Sequence, residues 1–428
     1  MEKAIKILTQ NFDREDSHTL EAYTKTGGYQ AVRKVLGKIA PEGVIEEVKC
    51  SNLRGLGGAG FPTGMKWSFI SKPSKKPVYL LINGDEGEPG TFKDRTIMTR
   101  DPHRLIEGVL LASYALGAHT AYIYVRGEFT FCMEALGKAI AEAKEAGYLG
   151  KNILKSGFDL DVYIHPGAGA YICGEETALI ESLEGKPGRP RNKPPFPAVV
   201  GAFGCPTIVN NVETIAHVPQ ILLNGADWFA KIGSDRNGGT RLFSVSGHVK
   251  KPGVYELPMG TPLREILYEH AGGIIGDSPL KGVIPGGSSA PILRPEEVDV
   301  GMDFDQLAKI GSMGGSGGII AMAEGTCMVW ALHNLARFYA HESCGQCSPC
   351  REGTGWAEKV LRRIEGGHGT ASDIELLEKI AKGMLTRTIC PLADACALPI
   401  LSYLKKYRDE FEAHVREKRC PVRPKRAA

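Results

Sequence analysis

No stretch of eighteen apolar residues occurs anywhere in the chain, so no membrane-spanning helix is expected. The opening Met1-Glu-Lys-Ala-Ile-Lys6 lacks the apolar core of a secretory signal. The net charge is only +3 over 428 residues, which argues against nucleic-acid binding as the main task. A Walker A loop, an H-E-x-x-H pair and a convincing Ser-His-Asp arrangement are also missing, and with them the function classes they mark. His165, His217 and His248 are isolated and read as packed or solvated residues rather than ligands. Eleven cysteines without an export signal do not make a disulfide scaffold. A reducing cytoplasm fits better, where thiols bind metals or simply pack. Cys50, Cys132, Cys173, Cys205, Cys327 and Cys420 read as buried or incidental thiols.

What the chain does have is a cysteine run, Cys344-Gly-Gln-Cys347-Ser-Pro-Cys350, followed about forty residues on by Cys390-Pro391. Three thiols at this spacing gather three sulfurs in a small volume, and a remote Cys before Pro completes the pattern of an iron–sulfur cluster. Zinc is the rival occupant, although zinc sites usually pair two C-x₂-C units. Electron transfer is the first functional expectation. The 53 glycines are the other excess, and they gather in loops, where backbone can approach a ligand closely.

Residues 1–76 read as a helical lead-in ending in a glycine loop. From 77 to 240 strands and helices alternate. Strands are expected at 78–82, 121–125 and 160–164, and helices at 102–116, behind an Asp101-Pro102 start, and at 129–146. A βαβαβ order implies an open, Rossmann-like parallel sheet with ligands beyond the carboxyl ends of its strands. Residues 241–323 suggest a small β-grasp-like α+β domain with a helix over 262–270. Residues 324–428 carry four helical repeats of apolar residues, one opened by a Ser372-x-x-Glu375 capping box, and read as a bundle. The basic end, Arg416 to Arg426, reads as a frayed tail or as a segment that docks on a partner. The fold class is thus a multidomain α/β and α+β chain.

Five segments carry the remaining chemistry. Arg54-Gly-Leu-Gly-Gly-Ala-Gly60-Phe61 contains G-x-G-x-x-G without the strand before it that a dinucleotide turn requires, yet it still suits a phosphate nest with Arg54 and Lys66. Asn83-Gly-Asp85-Glu86-Gly-Glu88-Pro-Gly90 sets three carboxylates between glycines, suited to a cation, to ribose hydroxyls or to solvent. Gly167-Ala-Gly-Ala-Tyr171-Ile-Cys-Gly174-Glu175-Glu176 runs into a helix whose first turn favours carboxylates. The Pro-rich stretch 186–197 offers Lys193 for a phosphate and Phe196 for stacking, and Asn210, Asn211 and Thr214 offer polar contacts to a ring edge or ribityl chain.

Taken together, residues 54–67, 83–95, 167–197, 210–214 and the cysteine set closely resemble the FMN- and NADH-binding flavoprotein subunits of respiratory complex I. The resemblance covers nearly the whole chain. It implies an FMN domain, a ubiquitin-like β-grasp domain and a C-terminal four-helix bundle with one [4Fe-4S] cluster. FMN would be held by Arg54, Gly55, Gly57, Gly58, Lys66, Asn83, Asp85, Tyr171, Gly174, Glu175, Asn210, Asn211 and Thr214. NADH would meet Phe61, Phe69, Glu86, Glu88, Glu176, Lys193 and Phe196, with Glu88 and Glu176 positioning it. Cys344, Cys347, Cys350 and Cys390 would ligate the cluster, with Cys396 a rival to Cys390. Hydride transfer from NADH to FMN, then single electrons through the cluster toward quinone, would follow, with no protein acid or base required. The implied partners are a small thioredoxin-like [2Fe-2S] subunit and a larger iron–sulfur subunit, in a soluble arm on the cytoplasmic side of the inner membrane. A diaphorase subunit of an NAD-linked hydrogenase or formate dehydrogenase shares the same motifs. A non-enzymatic zinc or cluster scaffold is the reading from a different class.

Overall fold

A computed structural model describes residues 5–71 and 74–422. The chain divides into two compact units: residues 1–87, 91–243 and 254–261 in the first, and 88–90, 244–253 and 262–428 in the second.

The first unit opens with turns and then short helices α1 (Leu20–Lys25), α2 (Gln30–Val35), α3 (Pro41–Cys50) and α4 (Thr63–Trp67). Strand β1 (Tyr79–Gly84), helices α5 (Asp94–Arg100) and α6 (Pro102–Leu116), β2 (Thr120–Val125), α7 (Thr130–Glu145), β3 (Asp161–Pro166), α8 (Glu176–Leu183), β4 (Thr207–Asn211), α9 (Val212–Asn224) and α10 (Ala226–Ile232) follow. The four strands form one sheet in the order β3-β2-β1-β4, and every neighbouring pair is parallel. Leu80, Leu81 and Ile82 are buried on both faces of β1, as helix-covered parallel strands require. Nearly all of α6 is buried too, including Leu105, Ile106, Val109, Leu110 and Leu111. Each such side chain contributes about 1.5–3 kcal/mol by leaving water. Gly117, left-handed at φ 72°, ends α6.

Two expectations from the sequence change here. Asp101 does precede α6, but its carboxylate does not cap the helix. It accepts instead from Asn11 Nδ2 and Arg104 Nε, both at 3.0 Å, because a buried guanidinium needs a counter-charge. And β4, a strand that the apolar pattern does not reveal, lies beside β1, with Ile82 opposite Asn210 and Asn83 opposite Asn211. The chain leaves β1 toward β2 on one side and returns as β4 on the other, so the sheet's switch point lies between β1 and β4.

The next strands, β5 (Thr240–Gly247), β6 (Gly253–Pro258), β7 (Leu280–Ile284) and β8 (Gly318–Ala323), form a sheet in the order β6-β5-β8-β7. In the second unit Ser244–Gly247 of β5 runs parallel to β8, and β7 runs antiparallel to it. The expected helix over 262–270 is split into α11 (Leu263–Glu265) and a wider turn over Ile266–His270, and α12 (Phe304–Lys309) follows. The glycine run 313–318 turns tightly against Gly286, whose carbonyl accepts from Ser316 N at 2.9 Å.

Helices α13 (Met328–Glu342), α14 (Ser348–Glu365), α15 (Ala371–Met384), α16 (Leu392–Lys406) and α17 (Arg408–Glu417) complete the second unit. Helix α15 is capped by Thr370 and Asp373 rather than by Ser372 and Glu375, because the Asp373 carboxylate reaches back to Thr370 N at 2.8 Å. Of the basic end, Arg416 and Glu417 close α17, and residues 423–428 lie outside the described residues. No helix among the described residues is long and apolar enough to cross a membrane.

Candidate functional site

The glycine loop 55–60 lies at the switch point. The amide of Leu56 donates to Thr214 Oγ1 at 2.8 Å, which ties the loop to the first turn of α9. Trp67 of α4 donates its indole N–H to Asn210 Oδ1 at 2.9 Å. Lys66 Nζ donates to the Val209 carbonyl of β4 at 2.8 Å. Gly58 sits at φ +136°, a conformation side chains rarely adopt, and a Cβ there would face open space. That is the shape of a backbone cradle open to a ligand.

The loops after β1, β2 and β3 close around the same edge. Asn83 Nδ2 donates to the Gly174 carbonyl at 2.8 Å, joining the loops after β1 and β3. Gly127, after β2, runs so close to the β3 loop that a Cβ would stand 2.5 Å from the Gly167 carbonyl oxygen. Tyr171 packs over Gly87, 3.2 Å from where a Cβ would stand. Asp85 is buried between these loops.

One charge cluster crosses the site. Glu176, in the first turn of α8, takes Lys66 Nζ at 2.9 Å on one oxygen and Lys193 Nζ at 2.7 Å on the other. Burial opposes its ionisation, but the two ammonium charges outweigh burial and hold its pKa at about 2. Lys193 also reaches Glu175 at 3.2 Å, while the second Glu175 oxygen caps α8 through the amides of Thr177 and Ala178. Phe61, Phe69 and Phe196 are 43%, 51% and 57% exposed, and the rings of Phe61 and Phe69 pair with centroids 5.9 Å apart. Exposed aromatic faces are the surfaces on which a flat base stacks.

Several residues expected to touch ligand are occupied by the protein itself. Glu86 is turned inward and caps α5, accepting from Asp94 N at 2.7 Å and from Arg95 Nε at 2.8 Å, and burial pushes its pKa up. Glu88 belongs to the second unit, where it accepts from Ser288 Oγ and from Ser289 N and Oγ. Asn211 caps α9 and donates to Asp94 Oδ2 at 2.7 Å. Residues that sequence reasoning misses hold this frame. Lys93 is fully buried between Asp94 (2.9 Å) and Glu213 (2.7 Å), and nothing in its sequence context signals it. Trp67 ends α4, just after the glycine loop that the sequence marks, but no motif points to its indole.

The donor set fits a flat, phosphate-bearing ligand: an open glycine backbone, two lysines and exposed aromatic rings around the carboxyl edge of a parallel sheet. The cysteines fit a cluster. Cys344 and Cys347 precede α14 and Cys350 lies in its first turn. The amide of Ile389 donates to Cys347 Sγ at 3.4 Å, which brings the Cys390 segment to the triplet. Cys350 Sγ lies 3.2 Å from Ser343 Oγ. Cys396 is buried on α16, with its thiol pushed up by burial and by the nearby Cys350.

Three family models match successive parts of the chain. Residues 48–220 match the Nuo51 FMN-binding domain, 241–320 the SLBB domain and 330–414 the NADH-ubiquinone oxidoreductase-F iron-sulfur binding region. An NADH-quinone oxidoreductase F subunit of Rhizobium meliloti is 56% identical over 415 residues, 97% of this chain and 99% of that protein. The F subunit of the Rickettsia bellii NADH-quinone oxidoreductase is 52% identical over 417 residues, 97% of this chain and 100% of that one. Among solved structures, an NAD+-reducing [NiFe]-hydrogenase in the H2-reduced state superposes with a TM-score of 0.84 at 37% identity, covering 92% of this chain and 66% of the hydrogenase chain. With these matches spanning its full architecture, the chain belongs to the family of NADH-quinone oxidoreductase F subunits.

Proposed function

We propose that this chain is the NADH-oxidising flavoprotein subunit of a respiratory NADH:quinone oxidoreductase. The observation that carries the reading is the presence in one chain of a nucleotide-type site at a sheet switch point and a four-cysteine site. Bound FMN would supply hydride acceptance from NADH and one-electron release, and a [4Fe-4S] cluster on Cys344, Cys347, Cys350 and Cys390 would carry the electrons onward.

The chain's own work is positioning. The glycine loop with Arg54, Gly55, Gly57 and Gly58, together with Asn83, Asp85, Tyr171 and Gly174, cradles the flavin nucleotide. Phe61, Phe69 and Phe196 flank the dinucleotide, and Lys193 meets its diphosphate. Glu176 tempers the charge of Lys66 and Lys193, so that an anionic product is not held too tightly. Glu86, Glu175, Asn210, Asn211 and Thr214 act as braces that fix these loops, because their polar atoms already bond to the protein. No side chain is needed as a proton donor for hydride transfer.

The chain then works with a small thioredoxin-like [2Fe-2S] subunit and a larger iron–sulfur subunit, in an arm on the cytoplasmic side of the membrane. A diaphorase role in a hydrogenase is the second reading, favoured by the superposition on the NAD+-reducing hydrogenase. The higher identity to the Rhizobium protein, over 99% of its length, favours the quinone-linked enzyme. The test is the visible spectrum of anaerobically purified protein, co-expressed with its small partner, before and after NADH. The flavin band is expected to bleach over a broad iron–sulfur absorbance. A colourless protein that stays unresponsive after FMN is supplied refutes the reading.

A further inference from the structure

Outside the four-cysteine site, Cys327, His414 and Cys420 form a group whose ligand atoms all lie within 4.8 Å of one another, the one such group among the described residues. We propose that these three residues bind a zinc ion, with water as the fourth ligand.

Cys327 is the N-cap of α13, and its Sγ accepts from Trp330 N at 3.3 Å. Burial pushes the Cys327 thiol up to about 12 despite the Trp330 amide, so the metal itself must displace its proton. His414, on α17, is fully buried. Its Nδ1 lies 2.7 Å from the Glu410 carbonyl oxygen, which accepts the ring N–H and leaves Nε2 as the lone-pair nitrogen. Nε2 points at Cys327 Sγ, 3.3 Å away. A carbonyl on one ring nitrogen that frees the other is the usual outer support of a metal-bound histidine. Lys418, left-handed at φ 52°, ends α17 and turns the chain so that Cys420 returns to this point.

Two thiolates and one imidazole at single-ion separations suit tetrahedral zinc better than the hard cations. Binding forms two Zn–S bonds and one Zn–N bond and releases the two thiol protons to solvent. The fold gives the ion a task. Only Phe411 and His414 of α17 are buried, so apolar packing holds this helix weakly. An ion joining both ends of Cys327–Cys420 staples α17 to the start of α13.

The test uses full-length chain co-purified with its partner subunits from zinc-replete cells. Elemental analysis is expected to give about one zinc per chain besides iron, with a zinc-edge absorption spectrum of two sulfurs at about 2.3 Å and a nitrogen at about 2.0 Å. Cys420→Ala, at a half-buried position near the chain's end, is expected to lower zinc at least about tenfold with iron unchanged. His414→Gln is expected to do the same. Wild-type zinc below about a tenth of an equivalent overturns the proposal. So does zinc that persists in Cys420→Ala, or a Cys327–Cys420 disulfide found by peptide mapping of protein denatured with a thiol-blocking reagent.

Discussion

Replacing Glu176 by Gln removes a negative charge from between two lysines and should tighten the grip on dinucleotide more than it slows hydride transfer. Lys66 and Lys193 sit 2.9 and 2.7 Å from its two oxygens, and Glu175 is a second carboxylate on Lys193. The depression of its pKa from 4.5 to about 2 corresponds to about 3 kcal/mol in favour of the charged form, at about 1.4 kcal/mol per pKa unit. Two lysines and two glutamates sum to zero, and the variant leaves one positive charge. At an effective dielectric of about 20–40, that charge is worth about 1–2 kcal/mol to an arriving diphosphate. The inhibition constant of NAD+ against NADH should therefore fall about five- to thirtyfold, and the effect should shrink as salt is raised. The rate of flavin reduction by saturating NADH, followed by stopped flow, should change less than the inhibition constant does. The same carboxylate also stabilises the fold. Its pKa is lower when folded, so this contribution is complete above about pH 4.5 and is lost as pH falls toward 2. An unchanged inhibition constant, or a loss of hydride-transfer rate larger than the change in binding, refutes the assigned role.

Three further substitutions follow from burial and contact. Cys390→Ser should strip the iron while FMN stays bound, whereas Cys396→Ser should keep both, because the Ile389 amide holds the Cys390 segment against Cys347. Equal iron loss in the two variants, measured chemically, would reassign the fourth ligand. His217 is fully buried, and burial together with the charges of Arg104 and Lys93 lowers its pKa to about 3. Its folded pKa lies below the unfolded one, so falling pH increasingly favours the unfolded chain below about 6.5, by about 2 kcal/mol at pH 5. His217→Met should lose less stability than wild type between pH 7 and pH 5 in thermal unfolding, and an identical loss in both proteins would contradict this assignment.

The strands and helices of the parallel sheet were legible because they repeat a strong pattern: an apolar run, a loop rich in glycine or acid, then an apolar helix. Three strands and their helices fall within a few residues of expectation. Strand β4 was not legible. It has five residues, follows Pro206, and ends in Asn210 and Asn211, which read as ligand contacts rather than as strand. The bundle was read from apolar spacing, but the cap of α15 fell two residues earlier, at Thr370, since Thr-x-x-Asp and Ser-x-x-Glu overlap there and only geometry selects one.

The site was legible as a set of loops and less so as a set of roles, for a physical reason. A carboxylate that caps a helix and a carboxylate that meets a ribose need the same residue, the same flanking glycines and the same place after a strand. Glu86 took the first role, with its oxygens on the amides of α5, while Glu176 stayed between two lysines. Glu175 has two partners at once: one oxygen fixes the start of α8 and the other reaches Lys193. Such double use stiffens a site, because the residues that hold the loops are not free to follow the ligand. Other groups become neighbours through the fold alone. Cys327 and Cys420 lie more than ninety residues apart, with no spacing motif between them. Only the return of the chain after α17 brings them together, which is why two thiols that read as incidental become a candidate metal site once the bundle is folded.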